Sequence, residues 1–211
     1  MGQQFDPRNV FTAMHHKVTG ELLHLMDGLY SNIEDGLFEL AYQHEEDERQ
    51  QRSCFDLMRE MRFRRSNLIQ AFAKRMQRGL DYWYGEKYEF DTEYDVEMDA
   101  MARSMAEKCT SHFGLLLQAI TERTADATDR NERNVSIPIS PYQISYNFLA
   151  SCRSLDFDNN AIALVQSLFA RFVLDRLGGV YGECNQRLEK AGFHTREQLK
   201  LAASARARAR A

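Results

Sequence analysis

Three prolines in 211 residues leave this chain free to form long helices, and two of them, Pro138 and Pro141, stand close together in one polar stretch. Proline removes a backbone donor and clashes with the preceding turn, so its scarcity lets helices run uninterrupted. Elsewhere apolar residues recur at spacings of three and four, the period of one helix face, and no alternating strand pattern or internal repeat competes. The expected fold is all-α, a bundle of about six to eight helices with a long polar loop near residues 124–139. We expect a single helical domain over 1–195, divisible into 12–123 and 140–195, followed by a terminal helix and a flexible basic tail over 196–211.

Val18, Leu22, Leu25, Met26, Leu29 and Ile33 predict a first helix from about Thr12 to Ser31. The Asp27-Gly28 and Asp35-Gly36 pairs weaken helix locally, so Leu37, Phe38, Leu40 and Ala41 are expected on a separate or bent helix. The next helix should run from near Glu46 to about Arg78, with acids at its start, bases at its end and Gly79 as its stop. Met98 to Ile120 predicts a further helix, and the stretch from Thr124 to Ile139 a loop. Ser140-Pro141-Tyr142-Gln143 reads as a helix start, with Ser as N-cap, Pro in the first turn and Gln able to close a capping box. Asp158 can cap a sixth helix carrying Ile162, Val165, Phe169 and Val173 and ending at Gly178-Gly179. A short helix with Tyr181, Cys184 and Leu188 should follow, then one capped by Thr195 and Gln198. The terminal SARARARA reads as a frayed basic tail.

With 44% hydrophobic and 27% charged residues, the composition suits a globular chain rather than a disordered one. The opening MGQQFDPRNV has neither a positive leader nor an apolar signal core, and no run of about eighteen apolar residues occurs. Cys54, Cys109, Cys152 and Cys184 are widely spaced within helical patterns, which suits buried reduced thiols and a cytoplasmic location. No membrane insertion is expected.

Charge is unevenly distributed along the chain. Between Arg59 and Arg78 seven basic residues face one acid, Glu60, whereas between Asp81 and Asp99 eight acids face one base, Lys87. Arg59, Arg62, Arg64 and Arg65 form a candidate basic patch, but they spread around the helix, so we expect them to pair with the acidic segment rather than to bind nucleic acid. Tyr82, Trp83, Tyr84, Tyr88 and Phe90 place five aromatic rings within nine residues and form a candidate interface.

No chemical constellation emerges. Glu21-Leu22-Leu23-His24 is an E-x-x-H element, but di-iron bundles require a second copy and two further glutamates, and the chain lacks that second copy. His15 and His16 are adjacent, point apart on a helix and read as exposed polar residues. His44, His112 and His194 show no partners in the sequence. Arg153-Ser154-Leu155-Asp156 fits an R-x-x-D pattern that short sequences often match by chance. Phosphate-binding loops and nucleophile elbows are missing. We expect no catalytic residues, no metal and no cofactor.

The segments IEDGLFELA, CFDLMREMRFRRSNLIQAFAKRM and ISYNFLASCRSLDFDNNAIALVQSLFARFVLDRLGGVYGECNQRL resemble bacterial domain-of-unknown-function family 1631, whose members are often labelled thymidine phosphorylase. The resemblance spans roughly residues 30–190 and is most specific at LGGVYGECN, which is similar to an L-G-x-x-Y-x-x-x-N ending. It implies an N-terminal helical domain of bacterial cytosolic proteins with no catalytic residues to carry over. Family members are longer, so it implies a short paralogue or a fragment. Some long relatives end in a region similar to cyclic-di-GMP receptors, whose signature this sequence does not show.

The leading expectation is therefore a non-catalytic helical interaction or regulatory adaptor module that binds another protein and itself as a homodimer. The alternative is a nucleotide-responsive regulator sensing a cyclic dinucleotide. A helical enzyme or metalloprotein is the third.

Overall fold

A computed structural model describes residues 7–43, 46–84, 95–155 and 159–208. Among these residues the chain is all helical: α1 (Pro7–Gln43), α2 (Glu48–Asp81), α3 (Val96–His112), α4 (Gly114–Thr128), α5 (Pro141–Ser151), α6 (Asn159–Phe172), α7 (Leu177–Lys190) and α8 (Arg196–Arg208). Short 3₁₀ turns lie at Glu132–Asn134 and Leu174–Arg176.

The spine is the antiparallel α1–α2 hairpin. At 37 residues α1 is about 55 Å long, at 1.5 Å rise per residue. It is one continuous helix, not the two segments expected from its glycines. A helical glycine costs about 1 kcal/mol relative to alanine, and Gly36 returns close packing: a Cβ there would lie 3.1 Å from Leu168 Cδ1 of α6. Likewise Gly79 does not stop α2, which continues to Asp81, because the missing side chain admits Pro138. The start of α2 is capped by Asp47, whose carboxylate accepts from the Arg49 and Gln50 amides.

α5 and α6 pack on the spine, α5 against α2 and α6 against α1. They are joined by the stacked rings of Phe148 and Phe169, 4.2 Å apart and fully buried. α3 covers α5, and α4 pairs with α7. One cluster of buried side chains extends from Phe11 to Leu188.

The stretch from Met98 to Ile120 is two helices rather than one. Phe113 breaks it with φ −101° and ψ 17°, turning its ring onto Tyr181 at 5.6 Å. Helix α4 then runs to Thr128, into the expected loop, and ends at Asp129 in the left-handed region at φ 51°. Aspartate tolerates that conformation better than most side chains. The rest of the connection is a packed strap, since Pro138 and Ile139 are buried and Tyr181 Oη donates to Ile139 O at 2.9 Å.

Ser140 caps α5 by accepting from the Gln143 amide, with Pro141 in the first turn. The reciprocal half of that capping box is not made, because the Ser140 amide donates to Ile137 O at 3.0 Å; Gln143 Nε2 is buried without a hydrogen-bond partner. The Thr195 box is complete, with Thr195 N donating to Gln198 Oε1 and Gln198 N to Thr195 Oγ1. One further expectation is corrected. α6 ends at Phe172, and Gly178-Gly179 lies inside the first turn of α7. Helix α8 extends through Arg208, into the basic tail. The proposed Asp158 cap lies outside the described residues.

Candidate functional site

Among the described residues, the four arginines of the candidate basic patch pair with acids other than Asp81, Asp95, Glu97 and Asp99 of the acidic segment. They lie beside α1 and their own helix, and those neighbours hold them. Arg62 pairs with Glu34 at 2.9 Å, and Arg65 with Asp27 at 2.6 Å, donating also to Asp27 O. Arg59 pairs with Asp56 and Arg64 with Glu60, each within α2. The antiparallel register of the hairpin sets the partners of Arg62 and Arg65, which separation along the sequence does not reveal.

The aromatic connector divides. Trp83 is 3% exposed and packs edge-on against Phe11 of α1 at 5.7 Å, with Tyr84 against the same ring at 5.5 Å. Tyr82 is half exposed, and Tyr88 and Phe90 lie outside the described residues. Trp83 therefore belongs to the chain's own core rather than to a free surface.

A different aromatic group faces solvent. On the outer side of the hairpin, Phe38 is 46% exposed, Tyr42 53% and Phe63 88%. Phe38 bridges the two helices, its ring 4.8 Å from Tyr42 and 6.2 Å from Phe55 on α2. Phe63 lies nine residues from both Cys54 and Phe72 of the buried stripe, about two and a half turns, and so points directly away from the core. That phase was available in the sequence. It was missed because Phe63 sits inside a run of arginines and Phe38 beside residues of the core.

Several cavities flank the bundle, two of which bear on the candidate residues. One, of about 540 Å³, lies where α1 begins and α2 ends, and is lined by Phe11, His15, His16, Gln77, Asp81 and Tyr84 among others. His15 is buried, not exposed, and its ring is stacked parallel to His16 at 5.3 Å. Gln77 donates to Asp81 at 3.0 Å, so its oxygen faces His15 Nε2, 2.6 Å away, and that nitrogen carries the proton. These polar groups satisfy one another. The second cavity, about 170 Å³, is mainly apolar, between α3, α5 and α6, with Arg153 at its rim. Arg153 pairs there with Asp95, while Asp156 lies outside the described residues.

Glu21 of the E-x-x-H element pairs with Lys17 at 2.8 Å, a contact that lowers its carboxyl below the usual range, and His24 is exposed. Among the described residues no group of three or more His, Cys, Asp and Glu is placed to hold a metal ion. The four cysteines are free and buried. Burial pushes the Cys152 thiol up to about 11 and those of Cys109 and Cys184 up to about 12.

The residues of the L-G-x-x-Y-x-x-x-N ending hold the bundle together. Gly178 admits the Phe113 ring, Tyr181 ties down the strap, and Asn185 donates to Leu116 O of α4 at 2.9 Å. Asn185 also accepts from the buried Arg123, whose guanidinium reaches Gln198 of α8 and Glu189 of α7. The hydrogen bond from Gln198, followed by the Arg123 charge, holds the Glu189 carboxyl below its ordinary range. Arg196 N donates to Glu122, and the Arg196 side chain pairs with Glu132. A polar latch therefore seats the first turn of α8.

Fold and surface together define an all-α helical protein. No helix among the described residues is long and apolar enough to cross a membrane. Residues 92–192, a stretch that includes α3 to α7, match the family described as Protein of unknown function (DUF1631) N-terminal domain, which bears out the resemblance read from the sequence. The match covers slightly less than half of the chain and does not include the α1–α2 hairpin. Comparison with curated proteins and with solved structures yields no match.

Proposed function

We propose that this protein is a non-catalytic helical interaction module that binds another protein, with the outer face of the α1–α2 hairpin as its docking surface. The carrying observation is the exposure of large aromatic side chains on the outward sides of the two helices, Phe38, Tyr42 and above all Phe63 at 88%. Large exposed rings raise the cost of solvation and recur as anchors where partners dock. The flanking arginines and acids supply the polar rim common to such surfaces. Affinity capture with the wild type and with Phe63→Ser tests the reading. Proteins held by the wild type should be lost from the variant while its circular dichroism is unchanged. An identical set held by both would overturn it.

The cavity around His15 favours a second reading, a nucleotide-responsive regulator, because about 540 Å³ lined by aromatic and polar groups lies in the size range of small-molecule sites. A cyclic dinucleotide at one hundred times its dissociation constant should then stabilise the fold by about 2.7 kcal/mol. No thermal shift at millimolar ligand would remove this reading.

A further inference from the structure

We propose that the cavity between α3, α5 and α6 is a binding site for a small primary amine carried on an apolar body about the size of a benzene ring. Its walls are apolar: Phe148 and Leu149 of α5 and Val165 of α6 line it together with Met98 and Met101 of α3. Methionine adapts its shape to a neighbouring ring more readily than branched side chains do. The volume of about 170 Å³ sets the size of the occupant. An engineered apolar cavity of about 150 Å³ takes benzene, whereas drug-sized ligands occupy roughly 300–1,000 Å³. A cyclic dinucleotide is therefore too large for it, although Arg153 of the R-x-x-D pattern stands at its rim. The described lining residues run from Asp95 to Gln166, inside the 92–192 stretch that matches the family, so the site belongs to the matched domain rather than to the hairpin face.

The charges that line the cavity set the sign of the polar group. Asp95, Glu97 and Arg153 are two acids against one base. Asp95 is committed: its Oδ1 accepts from the Glu97 and Met98 amides as the cap of α3, and its Oδ2 accepts from Arg153 at 3.5 Å. Glu97 is exposed, and its carboxylate makes no ion pair or hydrogen bond among the described residues. An ammonium group on a ring seated among the apolar side chains therefore meets an uncommitted carboxylate, and Gln166 of α6 offers a neutral acceptor. An anionic group would meet two acids, with the one base already paired to Asp95. Apolar walls with a few polar groups that fix orientation are the usual composition of a small-molecule site.

Isothermal titration of the whole chain with phenethylamine and with 3-phenylpropionate, at matched ionic strength, tests the assignment. Phenethylamine should bind one to one with a dissociation constant of about millimolar, the range open to a ligand of so few atoms, and 3-phenylpropionate about tenfold or more weakly. Glu97→Gln, at an exposed position, should weaken the amine by about threefold or more while circular dichroism stays unchanged. Ile162→Phe fills the cavity with a ring from α6 and should abolish binding; Leu149→Phe does the same from α5, so that one filled variant that folds is enough. Titration of the wild type without saturation at about ten times the expected constant overturns the site. Equal binding of the two ions, or binding indifferent to Glu97→Gln, overturns the amine assignment. Binding that survives in a folded, filled variant puts the ligand elsewhere and overturns the site as well.

Discussion

The edge of the Phe113 ring occupies the space a side chain at Gly178 would need: a Cβ built on Gly178 would lie 2.8 Å from Phe113 Cε1. The ring is held in turn by Tyr181. This contact brings the α3–α4 break against the first turn of α7, and it explains a glycine that helix propensity alone disfavours.

Gly178→Ala should therefore destabilise the protein by about 1–3 kcal/mol, the usual cost of overpacking. Phe113→Ala in the same chain should make the alanine far less costly, because the clashing ring is gone. Urea unfolding of the two single variants and the double reads the coupling. Additive effects would mean that the two residues do not share this space.

The burial of the thiols predicts loss of stability in alkali. Cys109 and Cys184, raised from 9.0 to about 12, and Cys152, raised to about 11, stay protonated in the fold at pH values where the unfolded chain ionises. Their folded values lie above the unfolded ones, so the contribution is fully present below about pH 9 and is lost as pH rises toward those values. Chemical denaturation between pH 8 and 11 should show a falling midpoint. Substituting serine or alanine at one of these cysteines should flatten the decline.

Ser140→Ala should cost about 1 kcal/mol by removing the oxygen that accepts from the Gln143 amide, and Ser140→Gly only a few tenths. Equal effects in thermal unfolding would place the stabilisation elsewhere.

Much of this architecture is legible in residue spacing. The apolar stripes predict the helices, and Ser140-Pro141 and Thr195 with Gln198 locate two starts, because caps are local chemistry. What spacing does not show is tertiary in origin. The glycines at 28 and 36 read as breaks in α1, yet Gly36 is a contact point whose partner, Leu168, lies far along the chain. The turn at Phe113 has only a weak local signal, the helix-disfavouring Gly114 beside it, and the ring finds its partner, Tyr181, on another helix. The arginines at 62 and 65 find Glu34 and Asp27 through hairpin register alone. At the surface, the aromatic-rich connector drew notice by density, whereas Phe63 is distinguished only by its phase on the helix.

Trp83, the single tryptophan, reports the packing of the connector on α1. Its emission should be blue-shifted at all protein concentrations, and Trp83→Ala should cost about 3–5 kcal/mol, as for other buried large aromatics. Red-shifted, fully quenchable emission would contradict its burial.

The central claim is that Phe63 serves association and not folding, and affinity capture with wild type and Phe63→Ser tests it most directly, with urea unfolding of both as its companion. The account predicts that the wild type retains a partner protein that Phe63→Ser does not hold, and that their unfolding free energies agree within about 0.5 kcal/mol, as for exposed positions generally. Unchanged association in the variant, or a loss of several kcal/mol in its monomer stability, would contradict it.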